Sequence, residues 1–199
     1  MNLNELAREV HQNAVEHGWW NPEPSFPEII ALCHSELSEA LEEYRAGNRI
    51  RPGQPTPLRY YSGGGYNATA PTLICTEPRG IAVELGDCIL RILDYFAGRG
   101  VDTERQVERA LKLGDTGNPF SDEAFGAMVA SLHTGLSSAL WAAQSPIPLD
   151  SVDPEDWMAL CIVGIMDWAD NKGLDMEAIL WEKLEYNKGR PYRHGGKLL

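Results

Sequence analysis

The string His34-Ser-Glu-Leu-Ser-Glu-Ala-Leu41 returns 99 residues later as His133-Thr-Gly-Leu-Ser-Ser-Ala-Leu140. Asp94-Tyr95 followed by Gly100-Val101-Asp102 returns 73 residues later as Asp167-Trp168 followed by Gly173-Leu174-Asp175. The offsets differ by 26 residues, about the length of a Pro/Gly-rich stretch that only the first half carries. One duplicated unit, with the insertion missing from the second copy, accounts for both offsets. A chance match of apolar helices does not account for the shared His-x-x-Leu-Ser-x-Ala-Leu string. At 199 residues the chain is long enough for one sizeable core, or for two small halves sharing one.

Helical periodicity dominates both halves. A first amphipathic helix is expected over residues 2–17, ending at His17-Gly18. Ser25-Phe26-Pro27-Glu28 is a capping box with an early Pro, so a long helix should run from there to about Ala46-Gly47. A third covers 80–98 and stops at Gly98 and Gly100; Asp102 caps a fourth to about Leu113. Ser121 starts a fifth to about Gln144, Asp153-Pro154 a sixth to Asn171-Lys172-Gly173, and Asp175 a seventh to about Lys188. The stretch 48–79 differs: Arg59-Tyr60-Tyr61, Ser62-Gly63-Gly64-Gly65 and Thr72-Leu73-Ile74-Cys75-Thr76 read as a hairpin or flap around 50–78. It has no Gly-Lys-Ser/Thr and does not open a helix as a P-loop must. The expected fold is therefore all-α: a single domain over 1–199, an antiparallel helical bundle from two degenerate repeats, about 20–114 and 121–199, with a small β-flap inserted in the first.

The net charge of −12 argues against a chain that coats nucleic acid by counterion release. Cys33, Cys75, Cys88 and Cys161 have no metal-ligand spacing and read as reduced, buried thiols. A polar start at Met1-Asn2-Leu3-Asn4-Glu5 and the lack of a bilayer-length apolar run predict a cytoplasmic protein with no membrane partner.

Two acidic motifs carry the chemistry. Glu36-Leu-Ser-Glu39 and Glu84-Leu-Gly-Asp87 each place two carboxylates one helical turn apart on one face. Four acids converging from two antiparallel helices repel unless cations sit between them, and an oxygen-only set suits Mg²⁺, with Mn²⁺ as the alternative. Glu36 shares its helical sector with Ile29, Leu32, Cys33 and Ala40, an unsuitable place for a plain surface acid. Glu84, Asp87, Arg91 and Asp94 form a polar stripe that a surface would also show. Glu42 and Glu43 read as surface, although Glu43 lies on the Glu36 side.

The second half lacks these acids: Gly135 and Ser138 stand opposite Glu36 and Glu39, Trp157 and Leu160 opposite Glu84 and Asp87. It has instead Lys183, Tyr186, Asn187 and Arg190, opposite Ala110, Leu113, Gly114 and Gly117 of the first. One half keeps acids and the other cations and amide donors, which is what a single composite site leaves after duplication.

The ordered set Glu36-x-x-Glu39, Glu84-Leu-Gly-Asp87-x-x-x-Arg91-Ile-Leu-Asp94, and Lys183-x-x-Tyr186-Asn187-x-x-Arg190-Pro-Tyr-Arg-His194-Gly195 resembles the MazG family of all-α nucleoside triphosphate pyrophosphohydrolases. A family subunit carries all three motifs and pairs with a second; here the motifs are split between two fused copies. The resemblance covers most of 20–100, and 121–197 weakly apart from the last motif. It implies a helical bundle around a Mg²⁺–carboxylate cluster, and hydrolysis of an NTP or dNTP to the monophosphate and pyrophosphate. Glu36, Glu39, Glu84 and Asp87 are then the metal ligands and catalytic acids, with Glu39 or Glu36 accepting a proton from water. Lys183, Asn187 and Arg190 bind phosphate or sugar, with Tyr186 and His194 as weaker contributors. Trp19-Trp20 offers a stacking surface for a base, Trp20 being the named candidate, or else core packing. The chain is either a monomer mimicking the family dimer or a homodimer.

Other readings predict different behaviour. A nucleotide-binding or regulatory module of the same fold binds with metal but does not turn over. A helical interaction protein tolerates loss of Glu36 and Glu84. A di-iron bundle needs Glu-x-x-His, which neither acidic motif provides. Trp141, Trp157, Trp168 and Trp181 are expected in the core, Lys188 and Arg193 as cations complementing a helix end, and His34 and His133 in a structural role.

Overall fold

Side-chain chemistry at the helix ends sets the elements. The structure, a computed structural model, describes residues 1–48, 77–113, 124–145 and 152–198 and the backbone of 58–59. Its helices are α1 (Leu3–Glu16), α2 (Phe26–Arg45), α3 (Ile81–Gly98), α4 (Thr103–Leu113), α5 (Phe125–Gln144), α6 (Pro154–Asn171), α7 (Met176–Lys188) and a four-residue turn, α8 (Arg193–Gly196). Glu28 accepts from the Ser25 backbone N–H at 2.7 Å, closing the capping box of α2. Asp175 accepts from the Ala178 N–H at 3.0 Å at the start of α7. Each expected helix is present with ends within a few residues of expectation; the expected start of α5 at Ser121 lies outside the described residues.

Helix α3 is apolar apart from its Glu84-Asp87-Arg91-Asp94 stripe and forms the centre, with fourteen of its eighteen residues buried. Around it pack α1, α2, α6 and α7. It runs antiparallel to α2, since the Phe26 ring meets Tyr95 at 5.1 Å while Glu36 meets Arg91 ten residues further along α2. A second antiparallel pair, α5 and α6, is joined by Phe125 against Trp168 and by the Cys161 thiol donating to the Leu132 carbonyl. The two pairs meet where α2 lies on α5, with the His34 and His133 rings stacked at 4.9 Å. Helix α4 packs on α6 and α7 on α3, so the third helix of each expected unit lies on the second helix of the other.

Leu58 and Arg59 (β1) pair antiparallel with Arg79 and Pro78 (β2). The partner strand thus lies beyond the expected Thr72–Thr76 run; that run, Tyr60-Tyr61 and the glycine cluster lie outside the described residues. Cys33, Cys88 and Cys161 are buried free thiols, and burial pushes Cys161 up to about 12; Cys75 lies outside the described residues. Trp168 is in the core, and Trp157 and Trp181 pack partly buried against it. Trp141 corrects an expectation: it is 58% exposed. The buried face of α5 runs through Met128, Leu132, Leu136 and Ala139, and two residues past Ala139 the helix has turned to its opposite side. Among the described residues no helix is long and apolar enough to cross a membrane.

Candidate functional site

The antiparallel crossing of α2 and α3 turns the acidic face of each helix toward the other. Oxygens of Glu36, Glu39 and Glu84 lie within 4.8 Å of one another. They line a cavity of about 630 Å³ that also takes in Asp87, Arg91 and Asp94 of α3, Lys183 and Asn187 of α7, and Arg190 and His194 of the tail. Glu36 and Glu84 are each 7% exposed, whereas Glu39 faces solvent.

Withdrawing carboxylates from water without full compensation raises their pKa. Burial, then the Asp87 charge, pushes Glu84 up to about 8 against the pull of Lys183. Burial likewise raises Glu36, although Arg91 bonds it at 3.1 Å. Asp87 is raised by burial and held back by Lys183, whose Nζ lies 2.8 Å from its carboxylate. Three close oxygen donors short of positive charge fit a hard divalent cation, so Glu36, Glu39 and Glu84 are the residues that would hold one. Asp87 stands beside that trio, engaged with Lys183.

Lys183 is 4% exposed and also donates to the Pro78 carbonyl at 3.5 Å. Burial disfavours its charge, but the Asp87 charge and hydrogen bond outweigh burial and raise its pKa. Tyr186 does not line the cavity; its ring lies 5.9 Å from Lys183 Nζ and 5.8 Å from the Arg190 guanidinium, within cation–π range of both.

Trp20 and Trp19 part company. Trp20 donates from Nε1 to the buried Asp94 carboxylate at 2.9 Å and packs edge-on to His11, outside the cavity lining. Trp19 lines the cavity and meets the His194 ring edge-on at 5.1 Å. Burial and the nearby Arg190 charge push His194 down to about 4, so this imidazole is neutral at pH 7. What fixes the tail is Arg193: its N–H donates to the His17 carbonyl at 3.0 Å, and its guanidinium to the carbonyls of Gly18 and Asn21. Arg193 and His194 have positive φ (44° and 47°), a conformation costing about 1–2 kcal/mol per L-residue, and these bonds hold it. Arg193 is therefore a strap and not the expected helix-end cation, whereas Lys188 pairs on the surface with Glu9 and Glu185.

Arg91 and Asp94, part of the Glu84 stripe already visible in the sequence, line the cavity as well, because i+7 and i+10 keep the same face. Other lining residues escape motif reading. Glu77 and Arg79 precede α3 and carry no helical periodicity. Asn13 comes from α1, and its Oδ1, like that of Asn187, is buried without a partner among the described residues. At Gly135, which stands opposite Glu36 in the expected repeat, an added Cβ would lie 2.9 Å from Cys161 Sγ, so α6 crowds that position against any side chain. Comparison with known proteins gives no match to a family model, a curated protein or a solved structure.

Proposed function

We propose that this chain is a Mg²⁺-dependent nucleotide pyrophosphohydrolase that converts an NTP or dNTP to the monophosphate and pyrophosphate, built like the MazG-like enzymes. One observation carries the reading: three close carboxylates and a set of cations and amides share one cavity, although they come from opposite ends of the chain. A bare acidic cluster costs stability, and a cationic wall beside it suits an anionic ligand that arrives with its metal.

Mg²⁺ at Glu36, Glu39 and Glu84 would supply charge neutralisation for the phosphates and a water of lowered pKa. Glu39, the solvent-facing acid of the trio, accepts a proton from the attacking water. Arg190 offers a two-pronged donor to phosphate oxygens, Asn187 an amide to phosphate or sugar, and Lys183 a charge that Asp87 holds in place. Neutral His194 and Trp19 form the aromatic end, suited to the face of a base.

The same reading makes the chain an internally duplicated, fused member of that class, a monomer standing in for a dimer. Support comes from the exchange of third helices between the two units, and from His34 stacking on its own repeat equivalent, His133, as residues beside a pseudo-two-fold axis do. A mass measurement in solution separates monomer from homodimer.

The test is turnover on a panel of NTPs and dNTPs with Mg²⁺, reading monophosphate and pyrophosphate, alongside Glu36→Gln and Glu84→Gln. Release by the wild type and loss in both variants supports the reading. Metal-dependent binding with no release from any nucleotide makes the protein a nucleotide-binding module instead.

A further inference from the structure

Arg79, at the end of β2, lines the cavity with a side chain 52% exposed. Its Nε and a terminal nitrogen both donate to one oxygen of Glu77, at 3.1 and 2.7 Å. The other Glu77 oxygen faces the Arg190 guanidinium at 3.8 Å. One carboxylate thus lies between two guanidinium groups on the cavity wall. Glu77 is not part of the close trio of acids, so charge repulsion in that cluster does not explain it. Of the other cations on the wall, Lys183 is committed to Asp87 and Arg91 to Glu36, and Lys197 stands in the tail.

A guanidinium binds carboxylate and phosphate through the same parallel N–H donors, so a carboxylate between two arginines occupies the place of a phosphate. We propose that Arg79 is a phosphate-binding residue and that Glu77 is a resident anion, holding Arg79 and Arg190 in position until the polyphosphate tail of the ligand displaces it. The inference rests on the nucleotide reading above and deepens it: Arg79 and Arg190 grip the pyrophosphate portion, and Glu77 sets how readily they release it. Because Glu77 competes with phosphate, removing its charge strengthens binding, while removing Arg79 weakens it.

The experiment is calorimetric titration of the full chain with inorganic tripolyphosphate in Mg²⁺, for the wild type, Glu77→Gln, Arg79→Gln and Arg99→Gln. Arg99 pairs with Glu23 outside the cavity lining and serves as the control. A difference of one charge-assisted hydrogen bond predicts a Kd roughly tenfold lower for Glu77→Gln and roughly tenfold higher for Arg79→Gln, with Arg99→Gln unchanged. If Arg79→Gln fails to fold, Arg79→Lys keeps the charge, loses the fork and falls between wild type and that expectation. Wild-type affinity in both Glu77→Gln and Arg79→Gln, or weaker binding in Glu77→Gln, overturns the inference. Tripolyphosphate binding with these shifts but no nucleotide turnover removes only the hydrolase reading. No tripolyphosphate binding by the wild type overturns the inference, and the turnover panel then decides the hydrolase reading separately.

Discussion

Lys183 of α7 donates to the Asp87 carboxylate of α3 at 2.8 Å, with both side chains largely withdrawn from water. The contact ties the last motif of the sequence to the second acidic motif. Breaking a buried pair leaves one charge without compensation, so Lys183→Met should cost about 3 kcal/mol of stability. Asp87→Asn added to Lys183→Met should recover much of that loss, because the orphaned charge goes with it. Urea denaturation of both variants checks this; additive losses would show that the two groups are not coupled.

The acidic trio predicts a metal-sensitive pH profile. The folded pKa of Glu84, about 8, lies above its ordinary value of 4.5. Its contribution to stability is therefore full below about 4.5 and is lost as the pH rises through about 8. Metal-free protein should weaken over that window by on the order of a few kcal/mol, at about 1.4 per pKa unit. Glu84→Gln should flatten the profile, and Mg²⁺ should restore the wild type at the alkaline end. Unfolding midpoints at several pH values, with and without Mg²⁺, measure it; an unchanged slope in Glu84→Gln would contradict the assignment.

His34 and His133 approach Nδ1 to Nδ1 at 2.7 Å, where one ring donates and the other accepts. Burial lowers the pKa of both, and for His34 the neighbouring His133 charge adds to it. The stability they contribute is present above the ordinary value of about 6.5 and is lost as the pH falls through the lowered folded values. Replacing both with Leu should remove the acid-side slope while keeping the α2–α5 contact. Two-dimensional NMR titration of the imidazoles gives the folded values directly, and values above 6.5 would refute this account.

The two adjacent tryptophans should separate by readout. Trp20→Phe removes a donor from buried Asp94 and should cost about 1–2 kcal/mol of stability while leaving KM for a nucleotide near wild type. Trp19→Ala should raise KM with a smaller stability change, since Trp19 lines the cavity. Parallel melting curves and steady-state kinetics decide it, and an effect of Trp20→Phe on KM alone would reverse the assignment.

Much of the fold is legible because its signals are local. Ser25 with Glu28, Asp153 with Asp156, and Asp175 act within one turn of the chain, so the helix starts follow from them directly. Trp141 departs from expectation because an apolar residue in a long helix does not declare which side the neighbouring helices leave open. Trp20 and Trp19 have the same chemistry, and only the position of Asp94 distinguishes them.

By itself, then, the sequence determined the helices, the two acidic pairs and the cationic tail, all fixed by spacings of three or four residues on one helix. Tertiary structure alone decided that Glu36, Glu39 and Glu84 close into one cluster while Asp87 is taken by Lys183. It also decided that Glu77 lies between Arg79 and Arg190, and that Arg193 straps the tail to the end of α1. The physical reason is that the deciding partners, Glu84 for Glu36 and Glu39, Lys183 for Asp87, Arg190 for Glu77 and His17 for Arg193, lie tens to more than a hundred positions away. Their energy depends on burial and charge compensation, and those exist only once α3 is enclosed by the helices around it.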